Sequence, residues 1–150
     1  MGIPSPVKIK KDSIEIISNV DRCKYTLEEL SRAALRDVGK FIRKRMLQEL
    51  KKLPGMKKNR RLYRSTQYWV RRGESDLQVG FKHSTWHGEQ QELGTHGQPA
   101  RNILRNTVYS NIPDIVKIES QYLSSMEDEA RALALIDEND EGEGGNKEDD

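Results

Sequence analysis

The chain has 150 residues, of which 34% are hydrophobic and 33% are charged. This length suffices for one domain with a modest core, and no apolar run approaches the roughly 20 residues of a membrane-spanning helix. The only cysteine, Cys23, excludes an internal disulfide and fits a reducing cytosolic origin, and the N-terminus has no apolar region typical of a secretory signal. So polar a composition gives an isolated subunit a thin core, which favours an oligomer or an assembly component.

The charge is divided unevenly along the chain. Residues 137–150 carry eight acids and one lysine, whereas the preceding 136 residues carry 25 basic and 16 acidic side chains. A basic body is therefore followed by an acidic tail without any apolar residue, which we expect to be disordered. Three roles stay open for this tail, namely a solubilising appendage, an electrostatic tether and a screen over the basic body.

The first half of the domain is predicted to be a strand followed by a long helix. Residues 1–12 read as a flexible basic arm ahead of a single domain over 13–136, and the alternation in 13–18 predicts a short strand. Thr26 and Glu29 have the spacing of a capping box, so we place the start of the helix there. Apolar residues recur every three or four positions until Leu-Pro-Gly at 53–55 ends the helix.

The second half is predicted to contain a hairpin and C-terminal helices. Residues 63–72 and 76–82 are rich in β-forming residues and flank a turn, which predicts an antiparallel hairpin. A glycine-bearing loop with room for a short edge strand follows over 83–101, and then a short helix after Pro99. Pro113 suits the first turn of another helix, whose apolar stripe continues to Leu133. The resulting fold class is α+β, with helices packed on a small antiparallel sheet.

The three histidines and the single cysteine are the soft or nitrogen ligands that a metal site could use. His83 and His87 are four residues apart, and Cys23 and His96 are the other potential ligands. A zinc site needs about four converging nitrogen or sulfur ligands, and a spacing of four serves this only on a helix. Residues 83–88 show no convincing helical pattern, so we interpret these histidines as surface residues and expect no metal.

The segment 90–107 gathers Glu92, His96 and Arg101 beside two glycines, a combination that could serve catalysis. Glu92 and His96 could form an acid–base pair, but the chain has no nucleophile elbow and no phosphate-binding loop signature. A compact ribonuclease using His87, Glu92 and Arg101 is the enzymatic alternative. We expect no enzymatic activity and no cofactor.

The basic segment between Lys40 and Arg72 supports a different alternative. It contains thirteen lysines and arginines against one acid, with Tyr63, Tyr68 and Trp69 interleaved. Such a surface attracts phosphates and can stack bases, so a small basic nucleic-acid-binding protein is the main rival interpretation. A solvated helix face, or pairing with the acidic tail of the same or a neighbouring chain, would explain the same charges. No recognised motif for sequence-specific binding is present.

The order of these elements and one short motif together carry a resemblance. The motif consists of Glu92, Leu93, Gly94, Thr95, Pro99, Ala100, Arg101 and Leu104. A long helix, a basic loop and a hairpin precede it, and it leads into a helix. This arrangement resembles the tail-completion, or minor tail component, family of long-tailed bacteriophages, over roughly residues 13–135. The family pattern has a second proline where this chain has Asn102, a phenylalanine at Ile103, and an aromatic-alanine step at His87 and Gly88.

The resemblance implies a structural virion protein without catalysis, located in the tail or neck and assembled in the host bacterial cytoplasm. It implies a ring of six subunits at the head-proximal end of the tail, acting in head–tail joining and tail assembly. The implied partners are other copies of the chain, the tail terminator or tail tube protein, and the head–tail connector, with no membrane.

The residues of the motif suit an interface loop. Gly94 and Gly97 permit a tight turn, and Pro99 stiffens the approach to the following helix. Arg101 could form a bidentate bond to a carboxylate, either Glu92 of the same chain or an acid of a neighbour. The basic segment would line a lumen through which DNA passes, making non-specific contact with it. The residues assigned to that lumen are Lys57, Lys58, Arg60, Arg61, Arg64, Arg71 and Arg72.

Overall fold

The computed structural model describes residues 3–54 and 61–141, and over these ranges the fold is α+β, as predicted. Its strands form two separate antiparallel hairpins, and its helices pack around the longest of them. The elements in chain order are β1 (Val7–Lys11), β2 (Ile14–Ser18), α1 (Val20–Lys52), α2 (Arg61–Arg64), β3 (Thr66–Arg71), β4 (Asp76–Phe81), α3 (Trp86–Leu93), α4 (Ile103–Ser110), α5 (Ile112–Ser125) and α6 (Glu129–Glu141).

The N-terminal segment is more ordered than the sequence analysis predicted. The predicted strand over 13–18 is present as β2, but its partner β1 lies within residues assigned to a flexible arm. Val7 and Ile9 alternate with lysines, and this period of two places the apolar side chains on one face of the hairpin. The basic composition of the segment concealed a strand pattern.

Helix α1 begins earlier than the predicted capping box. It starts at Val20, so Thr26 lies inside the helix, where its hydroxyl donates to the Arg22 carbonyl oxygen at 3.0 Å. A threonine can form this bond to the preceding turn without ending a helix. The predicted end is confirmed, because the helix stops at Lys52 directly before Leu53 and Pro54.

Helix α1 contacts the β3–β4 hairpin and helices α4, α5 and α6. Towards its N-terminal half, a cluster joins Leu30 and Ala33 to Tyr122, Ala132 and Ile136. Towards its C-terminal end, a second cluster joins Met46 and Leu50 to Leu62 and Ile103. The core therefore consists of two patches along one long helix, which agrees with the low hydrophobic content of the chain.

Two further predictions are corrected by the C-terminal helices. The predicted continuous apolar stripe is divided, since α5 ends at Ser125 and α6 begins at Glu129. Asp128 starts the second helix, because its carboxylate accepts the Ala130 amide at 3.0 Å, as an N-cap residue does. Helix α6 then continues to Glu141, so the first five residues of the predicted disordered tail are helical. Residues 142–150 of that tail lie outside the described ranges.

The predicted hairpin is confirmed over β3 and β4, but its first strand begins at Thr66, and residues 63–64 belong to α2 instead. A glycine positions the hairpin on α1. A Cβ atom added to Gly39 would lie 2.6 Å from Tyr68 Cδ2 and 2.9 Å from Leu77 Cδ1. Real Cβ atoms do not approach carbon atoms this closely, so the two elements pack at a distance that only glycine permits.

We expect Gly39→Val to lower the free energy of unfolding by about 2 kcal/mol, because the added carbons overpack the contact between α1 and the hairpin. Gly80→Val is the matched control, since no atom lies within 4 Å of a Cβ placed there. Urea denaturation followed by circular dichroism measures both changes. Equal stability of the two variants would show that the hairpin is not held against α1 in this way.

Candidate interface loop

The segment that carries the resemblance forms a closed loop between α3 and α4. We define the interface loop as residues 94–102. Thr95 and Gln98 exchange backbone hydrogen bonds of 2.8 and 3.1 Å across it. The Arg101 amide donates to the Gln91 carbonyl at 2.9 Å, and this bond holds the end of the loop against α3. The loop thus begins and ends at the same place and carries its own hydrogen bonds.

Gly94 is required for this closure. Its φ of +79° lies in the left-handed region, which side-chain-bearing residues rarely adopt. A Cβ atom there would lie 2.6 Å from the backbone nitrogen of Ala100, on the opposite side of the loop. The sequence analysis predicted a tight turn at Gly94, and the structure adds that the opposing backbone leaves no space for a side chain. At Gly97, by contrast, the space is open and φ is not in the left-handed region.

The Glu92 carboxylate caps a helix. Its two oxygens accept the backbone amides of Leu104 and Arg105, each at 3.0 Å, in the first turn of α4. Asn102, the residue that precedes the helix, makes no side-chain capping bond and has a φ of +49°. Glu92 therefore takes over the role of an N-cap side chain from the end of α3, where its charge also suits the helix dipole.

Arg101 does not pair with Glu92, which corrects the same-chain alternative of the sequence analysis. Both Glu92 oxygens face the amides of α4, and no ion pair joins the two residues in the described structure. Arg101 instead borders a cleft of about 560 Å³ between α1 and α4, together with Arg45 and Lys52. An acid of a neighbouring chain remains the other predicted partner of this arginine.

The residues in and beside the interface loop differ in their burial. Ile103, which directly follows the loop and is not a matched position, is buried beside Met46 and Leu50. The matched residue Leu104 packs against the same cluster. Leu93 lies at the other extreme with a relative exposure of 68%. Thr95, Pro99 and Ala100 are exposed as well. The inward residues anchor the loop to the core, and the outward residues present a defined surface.

Two backbone hydrogen bonds that stabilise this site are not predictable from the sequence pattern. The Gln91 and Glu92 carbonyls accept the amides of Arg101 and Asn102 at 2.9 and 3.3 Å. Both carbonyls belong to α3, a helix that covers residues predicted to form a loop. Gly88 allows that helix to approach the hairpin, since a Cβ there would lie 2.5 Å from Phe81 Cγ. A glycine in a close contact gives no helical signal in the sequence.

The histidines are dispersed over the surface. His87 lies on α3, so residues 86–88 are helical, contrary to the prediction, and its ring contacts that of Trp86 at 3.4 Å between centroids. His83 and His96 are exposed on loops. Within residues 3–54 and 61–141, no three histidine, cysteine or acidic side chains are grouped as metal ligands would be.

The basic segment is partly neutralised by contacts within the chain. Arg71 binds Asp76 on the neighbouring strand, with its Nε 2.8 Å from Asp76 Oδ1, and also pairs with Glu74. The hydrogen bond from Arg71 lowers the pKa of the Asp76 carboxyl. Because this pKa is depressed in the fold, the stabilisation is present above the ordinary carboxyl range and is lost as the pH falls through the lowered value.

The remaining lumen residues are only partly described. Arg64 and Arg72 are exposed. The predictions for Lys57, Lys58, Arg60 and the side chain of Arg61 fall outside the described part of the chain. The lumen assignment therefore stays a prediction.

Comparison with protein-family models found no match, and searches of curated proteins and of solved structures found none either. No described helix is both long and apolar enough to cross a membrane.

We expect Glu92→Ala to destabilise the fold by about 1–2 kcal/mol, because it removes two capping bonds from α4. Arg101→Ala should change the stability by less than about 0.5 kcal/mol, because the Arg101 side chain has no ion pair or hydrogen-bond partner among residues 3–54 and 61–141. In a double-mutant cycle by urea denaturation, the coupling energy should lie below about 0.5 kcal/mol. A coupling well above that value would restore the pairing of Glu92 with Arg101.

Proposed function

We propose that this chain is a structural virion protein of a tailed bacteriophage, a tail-completion or neck component at the head-proximal end of the tail. It acts in head–tail joining and tail assembly as a ring of identical subunits. The interface loop is the observation that supports the proposal most. The segment with the resemblance forms a loop that is held by backbone hydrogen bonds and has exposed residues along its edge. The proposed partners are other copies of the chain, the tail terminator or tube protein, and the connector.

A fixed loop suits an assembly contact. A mobile loop loses conformational entropy when it becomes ordered on binding. A loop that is already held in one conformation loses less entropy on association. Gly94, the paired backbone of Thr95 and Gln98, and the Glu92 cap hold this loop before any partner arrives. The geometry does not require a reacting group, and the carboxylate that suggested catalysis caps a helix.

The distribution of apolar side chains also supports an assembly role. Leu93, Trp69, Trp86 and Tyr109 are each between 58 and 68% exposed. Leu93 and Trp86 lie on α3, the helix that leads into the interface loop, and a contact with another subunit there would bury their apolar surface. The core of the monomer is thin, so contacts between subunits would supply part of the burial.

We expect Ala100→Arg to prevent ring formation and tail joining while leaving the fold intact, because Ala100 is exposed at the edge of the loop. Native mass spectrometry and negative-stain microscopy of the purified protein, alone and added to tails that lack it, measure both effects. Gln78→Arg is the control, since Gln78 is exposed on β4, away from the loop.

Three outcomes decide the test. Association of the wild type with tail ends, lost in Ala100→Arg and kept in Gln78→Arg, would support the proposal. A wild-type protein that neither forms rings nor binds tail ends would contradict it. Normal joining by Ala100→Arg would remove the interface loop from the mechanism.

A further inference from the structure

The β1–β2 hairpin has an apolar face without a partner in the described chain. The register pairs Ile9 with Ile16 and Lys11 with Ile14, which places Val7, Ile9, Ile14 and Ile16 on one face. These four side chains are 46, 53, 64 and 57% exposed. The opposite face carries Lys8, Lys10, Glu15 and Ile17. One side of the hairpin therefore presents four apolar side chains to solvent, together with Lys11 and Ser18.

This hairpin needs a further layer. Strands β1 and β2 contact each other extensively, while neither has a comparable contact with any helix. An isolated two-stranded hairpin is at most marginally stable in water and usually depends on a third strand or a packed helix. The apolar face is thus the surface that a partner would cover.

The same chain offers an apolar groove elsewhere. We define the α1–α5 groove by Leu27, Leu30, Leu123 and Met126, with Cys23 at one end. It consists of two adjoining clefts of about 350 and 360 Å³ that share Leu27, Leu30 and Met126. Leu123 is 64% exposed and Met126 is 46% exposed, so the side of the groove formed by α5 and its end faces solvent.

The charges around the two surfaces are complementary. Strand β1 carries three lysines and no acid, and Lys11 lies on its apolar face. The charged residues that line the groove are Glu119, Glu129 and Arg22, and two further acids, Glu127 and Asp128, directly follow Met126 in the chain. One of them, Glu129, is paired with Arg22, whereas Glu119 and Glu127 lie exposed on the surface. Apolar contact and charge therefore match the hairpin to the groove of another copy of this chain.

We propose that the apolar face of the β1–β2 hairpin of one subunit docks into the α1–α5 groove of the next. The two surfaces differ, so the contact is head-to-tail, and repeating it generates either a closed ring or a filament. The inference rests on the proposed function only in taking a second copy as the occupant. It goes further by naming the two surfaces that join the subunits.

Cysteine cross-linking between separately purified variants tests the contact. One protein carries Ile16→Cys with Cys23→Ser, and the other carries Met126→Cys with Cys23→Ser. Mixed and mildly oxidised, they should give a disulfide-linked heterodimer, while each alone should remain largely uncross-linked. Ile17→Cys with Cys23→Ser is the matched control for the first protein, because Ile17 is 55% exposed on the opposite face of β2.

The alternative occupants give different products. Cross-linking of the Ile16→Cys protein with itself would indicate hairpin-to-hairpin docking and overturn the proposal. A monomeric intramolecular disulfide, formed when both cysteines are on one chain and absent between chains, would indicate that the hairpin covers its own groove and overturn it as well. Absence of self-association at every concentration tested is also against it.

A second measurement keeps the proposal testable if the cysteine variants fold poorly. Ile16→Thr should weaken self-association about tenfold in analytical ultracentrifugation, because it replaces buried apolar surface at the contact. Ile17→Thr, with the same change on the other face, should leave self-association unchanged.

The two proposals fail differently. Unweakened rings from Ile16→Thr would reject this contact and leave the proposed function standing. Hairpin-dependent self-association without any binding to tail ends would leave the contact standing and contradict the proposed function.

Discussion

The packing surface along α1 determines the rest of the structure. A helix of 33 residues is about 50 Å long, which exceeds the diameter that a compact domain of this size would have. The other elements therefore lie along it and bury two separate clusters instead of one central core. Each cluster is small, and Val20 and Leu27 in the N-terminal part of the helix stay 70 and 43% exposed.

The sequence predicted those parts of the fold whose signals are local and periodic. The helical repeat and the proline after Leu53 located most of α1, and alternation with a glycine-containing turn located the β3–β4 hairpin. The errors have physical reasons too. Thr26 has the residue type of a cap but bonds to the turn before it, and the lysines of β1 obscured its alternation. Asp128, a cap that does divide two helices, was overlooked because the apolar stripe continues across it.

The interface loop shows where sequence reasoning reaches its limit. Glycine and proline correctly indicated a shaped turn leading into a helix. The partner of Glu92 could not be predicted, because a carboxylate serves equally well to bind an arginine or to cap a helix, and the choice depends on the position of α3. Gly88 and the polar residues of α3 weaken its helical pattern, so the sequence predicts a loop there. The error in α3 thus became an error in the partner assigned to Glu92, a side chain of that same helix.

The structure also relates stability to assembly. Side chains that hold the interface loop lie on its inner side, and those on its outer side are exposed in the monomer. The same division applies to the β1–β2 hairpin, where the four apolar side chains on one face are 46–64% exposed in the described chain. In the proposed assembly, burial completed between subunits would make the stability of these elements depend on protein concentration and on the partner.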